Sequence, residues 1–132
     1  MDDAGRVEQG MAVRREVLGD DYVAGTAQRA DAFTEPFQDL ITRYAWGDIW
    51  SRPGLDRRSR SLVTLAVLTA LGHEQELGLH VRAARRNGLS DNEIQEVLLQ
   101  CAIYAGVPAA NRAFAIAQET LATLAATGEE DD

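Results

Sequence analysis

Lysine is absent from this chain, and all thirteen of its basic residues are arginine. Lysine Schiff-base chemistry, including that of a pyridoxal-phosphate lysine, is therefore excluded. Anionic ligands must be bound by arginine, by backbone N–H groups or by helix ends. The net charge is −8. This acidity argues against a nucleic-acid partner, because nucleic-acid-binding proteins need a basic surface.

Cysteine and histidine are almost as scarce. Cys101 is the one cysteine, so no intrachain disulfide, CxxC pair or cysteine-based zinc site can form. His73 and His80 fit no HExxH pattern, and we expect neither a metal nor another cofactor. The sequence contains no long apolar run and begins with an acidic segment instead of an apolar signal. We therefore expect a cytoplasmic protein with no membrane partner.

Hydrophobic residues recur at helical spacing along almost the whole sequence. Its 132 residues, 45% of them hydrophobic, suffice for one domain over residues 1–132, with 1–6 and 127–132 as frayed tails. No segment alternates convincingly as a strand does. The pattern predicts an all-α protein of six or seven helices. The helical segments lie near residues 7–18, 20–30, 35–50, 57–71, 72–88, 91–105 and 108–124.

Several details of these helices can be predicted. Thr34 is expected to cap the third segment, which should turn Phe37, Leu40 and Tyr44 toward a core. The segment 57–71 is apolar nearly all round, which predicts central burial and cover by another subunit. Ser90 with a glutamate three residues later forms a capping box.

One pair of residues suggests acid–base chemistry. Glu76 and His80 lie four residues apart, hence on the same face of a helix, beside the apolar strip of Leu77 and Val81. A carboxylate that orients an imidazole is a common proton donor near neutral pH. The alternative is an ordinary glutamate–histidine pair on a helix surface.

Aromatic residues cluster just ahead of a Ser-Arg-Pro-Gly turn. Both tryptophans of the chain lie in this segment. A mixture of aromatic and polar side chains is typical of a small-molecule pocket, although the same spacing is also typical of a core. The candidate pocket residues here are Arg43, Tyr44, Trp46, Asp48 and Trp50.

The helix after that turn begins with Arg57, Arg58 and Arg60. A helix dipole disfavours cations at this end, so three arginines there indicate nearby anions. The anions are either internal, from Asp48 or Asp56, or the carboxylates of a ligand.

A further candidate lies near residue 106, where Gly-Val-Pro interrupts the helical pattern before a run of small residues. Such a break brings backbone close to a neighbouring helix or to a ligand. Tyr104 precedes it, and Asn111 follows it with an amide that either meets a ligand or satisfies a loop carbonyl. Cys101, on an apolar face, is expected to be a core residue.

Four blocks of this sequence, in this order, resemble the carboxymuconolactone decarboxylase family. They are RYAWGDIW (43–50), RPGLDRRSRSL (52–62), ELGLHVRAA (76–84) and EVLLQCAIYAGVPAAN (96–111). The resemblance extends from about Gly10 to Leu121. The wider superfamily of alkylhydroperoxidase D-like proteins is all-α and assembles as trimers or hexamers, so the resemblance implies that fold and a homo-oligomer.

Two departures from related patterns matter. The redox branch of the superfamily carries a CxxCxxxH motif, whose cysteine positions here are His73 and Glu76 and whose histidine is His80. Peroxide and disulfide chemistry are therefore excluded at this site. Asp48 stands where the family pattern has glutamate, which shortens the side chain by one methylene.

The resemblance implies a cofactor-free decarboxylation of 4-carboxymuconolactone to 3-oxoadipate enol-lactone and CO₂, a step of protocatechuate catabolism in the β-ketoadipate pathway. His80 would be the proton donor and Glu76 its support. The residues implied at the substrate are Arg43, Tyr44, Trp46, Asp48, Trp50, Arg57, Arg58, Arg60, Tyr104 and Asn111.

Two alternatives stay open. One is a non-catalytic helical oligomer that binds small carboxylates or partner helices. The other is an enzyme with the same pocket that isomerises or hydrolyses a lactone. For the enzyme, the expected partner is a small dicarboxylate lactone.

Overall fold

The computed structural model describes residues 2–128, which form helices and no β-strand. Seven α-helices occur in this part of the chain, and a π-helix, Thr42–Trp50, continues the third of them without a break. The predicted all-α class is confirmed. The α-helices are α1 (Asp3–Leu18), α2 (Asp20–Arg29), α3 (Glu35–Ile41), α4 (Arg57–Leu71), α5 (Glu74–Arg86), α6 (Asp91–Tyr104) and α7 (Val107–Thr127).

The internal contacts of the chain divide it into an N-terminal unit, Met1–Asp56, and a C-terminal unit, Arg57–Asp132. The expectation of one domain over residues 1–132 stays a prediction. Within residues 2–128, no helix is both long and apolar enough to cross a membrane.

Both ends of the described chain are more helical than the sequence suggested. Asp2 caps α1, because its carboxylate accepts a hydrogen bond of 2.8 Å from the Gly5 N–H, and residues 3–6 are therefore helical. At the other end α7 continues to Thr127, and Gly128 follows in the left-handed conformation that often ends helices. The remaining tail residues, 1 and 129–132, lie outside the described part of the chain.

In the N-terminal unit, α1 packs closely against the π-helix. Gly10 and Gly47 are both buried at this contact. A Cβ atom at Gly10 would overlap the carbonyl oxygen of Thr42, and one at Gly47 would lie 2.8 Å from the carbonyl oxygen of Arg6. The two backbones thus approach to a distance that only glycine permits.

The start of α3 differs from the prediction in its capping. Thr34 makes no side-chain capping bond to α3. Its hydroxyl instead accepts a hydrogen bond of 3.0 Å from the Asp31 N–H, and the Asp31 carboxylate accepts from the N–H groups of Phe33 and Thr34. Asp31 therefore organises this turn, as short acidic side chains commonly do.

The side chains of Phe37, Leu40 and Tyr44 are exposed, so the prediction that they face a core is wrong. They recur every three or four residues from α3 into the π-helix and form an apolar stripe on the surface. The π-helix itself was not predicted, because hydrophobic periodicity does not separate i→i+4 from i→i+5 hydrogen bonding.

In the C-terminal unit, α4, α5, α6 and α7 enclose one apolar core. Its buried members come from all four helices and from the loop before α6. The capping box at the start of α6 is confirmed, since Ser90 and Glu93 exchange both of its hydrogen bonds. The core consists of Leu65, Leu77, Val81, Ala84, Leu89, Ile94, Leu98, Ala113 and Ala117.

Central burial of α4 is not observed. Ser61, Leu65 and Thr69 form its buried stripe, while Val63 and Val67 on the opposite side are 54% and 47% exposed. The helix is apolar nearly all round, yet only one face packs within the unit.

The close approach of α1 and the π-helix gives a stability prediction. Alanine normally stabilises a helix relative to glycine. At Gly10, however, the added methyl group meets rigid backbone, and we expect Gly10→Ala to lower the free energy of unfolding by about 1–3 kcal/mol. Urea denaturation followed by far-UV circular dichroism measures the change.

The matched control is Gly54→Ala. Gly54 lies in an exposed turn, and an added Cβ there meets no atom within 4 Å. Equal stabilities of the two variants would show that the contact between α1 and the π-helix tolerates a methyl group.

Candidate active site

The candidate acid–base pair lies on α5, whose packing fixes its orientation. Leu77, Val81 and Ala84 are buried in the core, and they anchor one face of the helix. Gly72 and Gly88, with φ of 74° and 98°, form the turns that bracket this helix.

His80 is partly buried beside this anchored face, whereas Glu76 is exposed. Burial lowers the pKa of His80 from 6.5 to about 4, and the negative charge of Glu76 opposes that shift. The charge of Glu76 therefore acts on His80 as their spacing predicts, but burial outweighs it, so the imidazole does not carry a proton near neutral pH as the pair suggested. At neutral pH the imidazole is uncharged, and it can accept a proton or, once protonated, donate one.

A side-chain hydrogen bond joins α4 to the C-terminal end of α5. The side-chain amide of Asn87 donates to the Ser61 hydroxyl at 2.9 Å. Neither residue was singled out from the sequence, because a polar pair at the ends of two helices has no distinctive spacing. Counted along α5, His80 lies seven residues, or roughly 10 Å, from Asn87.

The three arginines at the start of α4 differ in their surroundings. Arg58 forms an ion pair with Glu93, and its Nε donates to the Gly88 carbonyl oxygen at 3.4 Å. The Arg58 hydrogen bond also lowers the pKa of Glu93. Arg57 and Arg60 are partly buried and lie within about one turn of Ser61 along α4.

No contact among the described residues places Asn111 or Tyr104 next to His80. Asn111 lines a cavity of about 470 Å³ between α6 and α7, to which α5 contributes no residue. Tyr104, the last residue of α6, is 83% exposed. Their assignment to the substrate stays a prediction.

The candidates in the N-terminal unit form contacts within that unit. Trp46 and Trp50 stack with ring centroids 5.2 Å apart, and Trp46 is buried. Asp48 faces Arg6 at 3.6 Å. For the remaining two candidates, Arg43 pairs with Asp39 at 2.9 Å and Tyr44 is exposed. Their roles in substrate binding also stay predictions.

Cys101 is buried in the C-terminal unit, as predicted. Its Sγ lies 4.0 Å from the Ala66 carbonyl oxygen, and burial raises the pKa of the thiol. A buried thiol with a raised pKa is a poor nucleophile. His73 is exposed at the start of α5.

These features describe an all-α protein with a partly buried histidine, supported by a carboxylate one turn away on the same helix. The model of the Carboxymuconolactone decarboxylase family matches residues 35–119. The match covers well over half of the chain, and the chain belongs to this family. The resemblance inferred from its four sequence blocks is confirmed.

Curated relatives extend the match. A 4-carboxymuconolactone decarboxylase of Acinetobacter baylyi is 47% identical over 130 residues, which are 98% of this chain and 97% of the relative. The nitrosuccinic acid decarboxylase npaB of Metarhizium robertsii is 43% identical over 92% of this chain and 85% of its own length. A second 4-carboxymuconolactone decarboxylase, from Pseudomonas putida, is 46% identical over 48 residues, or 36% of this chain and all of that sequence.

The burial of His80 predicts a pH dependence of stability. The unfolded chain binds a proton at this imidazole near pH 6.5, whereas the folded chain binds it only near pH 4. The folded state therefore loses stability as pH falls between these values, by about 1.4 kcal/mol at pH 5.5 and about 3 kcal/mol near pH 4. His80→Gln should abolish this component.

The measurement is the difference in unfolding free energy between wild type and His80→Gln at a series of pH values. Hydrogen bonds from Arg58 and Arg112 lower the pKa values of Glu93 and Glu74, but both proteins share these effects, which cancel in the difference. His73→Gln, at an exposed position, is the matched control. A pH-independent difference for His80→Gln would contradict the burial of a neutral imidazole.

Proposed function

We propose that this protein decarboxylates 4-carboxymuconolactone to 3-oxoadipate enol-lactone and CO₂. The observation that carries the proposal is the 47% identity to the Acinetobacter baylyi enzyme over nearly the whole of both chains. The Glu76–His80 pair supplies a proton-transfer group of the kind that such a reaction needs.

The proposed reaction uses the substrate as its own electron acceptor. The bond between the γ carbon of the lactone and its carboxylate breaks, and CO₂ leaves. The electron pair moves through the ring double bond to the lactone carbonyl and gives a dienolate. A proton delivered to the carbon beside that carbonyl completes the enol-lactone.

His80 is the proposed proton donor. The His80 imidazole is uncharged at neutral pH, because its pKa is about 4. The carboxylates of a bound substrate would raise that pKa, since nearby negative charges favour the imidazolium form. His80 would thus take up a proton as the dianion binds and transfer it to carbon after CO₂ has left. Glu76 acts in the same direction on the pKa and is the proposed positioning residue.

Arg57 and Arg60 are the arginines that we assign to the substrate within the C-terminal unit. Both are partly buried on α4 within about one turn of Ser61, which accepts a hydrogen bond from Asn87. Arg58, by contrast, is exposed and pairs with Glu93. About two helical turns separate Asn87 from His80. Arginine binds carboxylates bidentately, which suits the acetate arm of the substrate.

A second candidate substrate is nitrosuccinic acid, on which the Metarhizium robertsii relative acts by name. Its nitro group can accept the electron pair left by the departing carboxylate, much as the lactone carbonyl does. A proton donor and an arginine for the second carboxylate would serve both reactions. The two candidates are separated by supplying each compound to the purified protein and comparing kcat/KM for CO₂ release.

If the proposal is correct, the protein releases CO₂ from 4-carboxymuconolactone while the substrate absorbance disappears. His80→Ala should lower kcat roughly 10²–10⁴-fold, because it removes the proton donor, and should leave substrate binding largely intact. His73→Ala is the control and should retain wild-type turnover. Near-normal turnover of His80→Ala would remove His80 from the mechanism.

The variant Glu76→Gln tests whether Glu76 positions His80 for the reaction without contributing to the stability of the fold. Glu76 is exposed, so its replacement should leave the free energy of unfolding nearly unchanged. Loss of its charge should lower kcat and move the alkaline limb of the kcat–pH profile to lower pH, because the imidazolium form loses a supporting charge. An unshifted profile would reduce Glu76 to a surface residue.

The protein is also proposed to be a homo-oligomer whose subunits meet through α4 and α6. The exposed side of α4 presents Val63, Val67 and Leu71 at four-residue spacing, and α6 presents Leu99 and Ile103 in the same way. An apolar cavity of about 580 Å³ lies between the two helices. Monomeric proteins rarely leave an apolar surface of this extent in water. A second copy, which carries the same apolar surface, is the proposed cover.

Val67→Arg places a charge in the middle of this surface and should shift the protein toward monomers. Size-exclusion chromatography with light scattering measures the change. Ala122→Arg, at an exposed position of α7, is the matched control and should keep the wild-type mass. A wild-type protein that is monomeric at micromolar concentration would contradict the assembly without affecting the proposed reaction.

A further inference from the structure

Arg14 is a buried charge in the middle of α1, in the N-terminal unit. Only 5% of its surface is exposed, and its neighbours Val13, Val17 and Leu18 are also buried. An arginine remains charged in a protein, so its burial is costly unless an anion compensates for the lost solvation. Burial lowers the pKa of Arg14, in line with that cost.

The side chain has an incomplete set of partners within residues 2–128. Its Nη1 donates to the side-chain oxygen of Gln38 at 3.1 Å, and this neutral amide supplies no negative charge. Its Nε is buried and donates to no acceptor. Buried arginines are normally paired with a carboxylate, and the described contacts of Arg14 include none.

A cavity of about 220 Å³ lies against Arg14 and offers room for an anion. It is formed by α1, α2 and the residue after it, α3, and the first residue of the π-helix. This volume is enough for a small carboxylate and lies below the range of about 300–1,000 Å³ that is typical of pockets for drug-sized ligands. Its lining consists of Val7, Met11, Arg14, Val23, Thr26, Ala27, Ala30, Glu35, Gln38, Asp39 and Thr42.

Two carboxylates also line the cavity, and they restrict what it can bind. Asp39 is engaged by Arg43 at 2.9 Å, and Glu35 is exposed in the first turn of α3. Their charges disfavour a multiply charged ligand, while one guanidinium matches one carboxylate bidentately. The charge and the volume together select a small ligand with a single negative charge.

We propose that the cavity at Arg14 binds a small monocarboxylate, with the buried guanidinium as its main partner. The site lies in the N-terminal unit and shares no residue with the Glu76–His80 pair. Its occupation would compensate the buried charge and stabilise the fold of α1 against α2 and α3.

The experiment uses acetate as the probe and the full-length protein. Titration calorimetry measures acetate binding, and far-UV circular dichroism measures the thermal midpoint in acetate and in chloride of equal ionic strength. We expect saturable binding and a midpoint that rises with acetate, because a ligand of the folded state stabilises it. Arg14→Met should weaken acetate binding by at least about tenfold, since charge-assisted hydrogen bonds are lost.

Two further variants make the result decisive. Arg15→Met changes the adjacent, exposed arginine and should retain wild-type acetate binding. Glu35→Gln removes a repelling charge from the cavity and should strengthen acetate binding, which keeps the test available if Arg14→Met does not fold. Absence of saturable binding by the wild type, or equal binding by wild type and Arg14→Met, would overturn the proposal. So would a large loss of stability in acetate-free Glu35→Gln with unchanged acetate affinity, because Glu35 would then be the partner of Arg14.

Discussion

The burial of one face of α5 is the constraint on which the candidate active site depends. Leu77, Val81 and Ala84 lock this helix into the core of the C-terminal unit. His80 lies on the same turns of α5 and is therefore partly removed from solvent, although it is not itself a core residue. Packing thus decides the protonation state of the imidazole, and the exposed Glu76 only moderates it.

His80 and Arg14 are both ionisable groups whose burial disfavours the charged form, and the two respond to that cost differently. His80 becomes neutral, which removes the cost of desolvation until a negatively charged ligand arrives. Arg14 cannot become neutral at physiological pH, so only a counter-charge can offset its burial. An imidazole can be buried in its neutral form and become charged only when an anion binds. A guanidinium stays charged, so its burial requires a counter-charge at all times.

Much of the fold was predictable, because helix ends and apolar stripes are local properties. The helix Arg57–Leu71 and the Ser90–Glu93 capping box follow from caps, glycines and periodicity. The exposure of one side of α4 and of α3 could not be predicted, because periodicity shows which residues are apolar but not what covers them. Of the candidate site, only the closeness of Glu76 and His80 on one helix was predictable, from their spacing. The hydrogen bond between Asn87 and Ser61 and the burial of Arg14 depend on packing between helices. Residue spacing within one helix does not determine that packing.

The stacked tryptophans of the π-helix have a consequence for spectroscopy. Trp46 and Trp50 are the only tryptophans of the chain, and both belong to the N-terminal unit. Intrinsic tryptophan fluorescence therefore reports on that unit, while far-UV circular dichroism averages over the helices of both. If the fluorescence and dichroism transitions coincide, the two units unfold as one cooperative system; if they separate, each unit has a stability of its own.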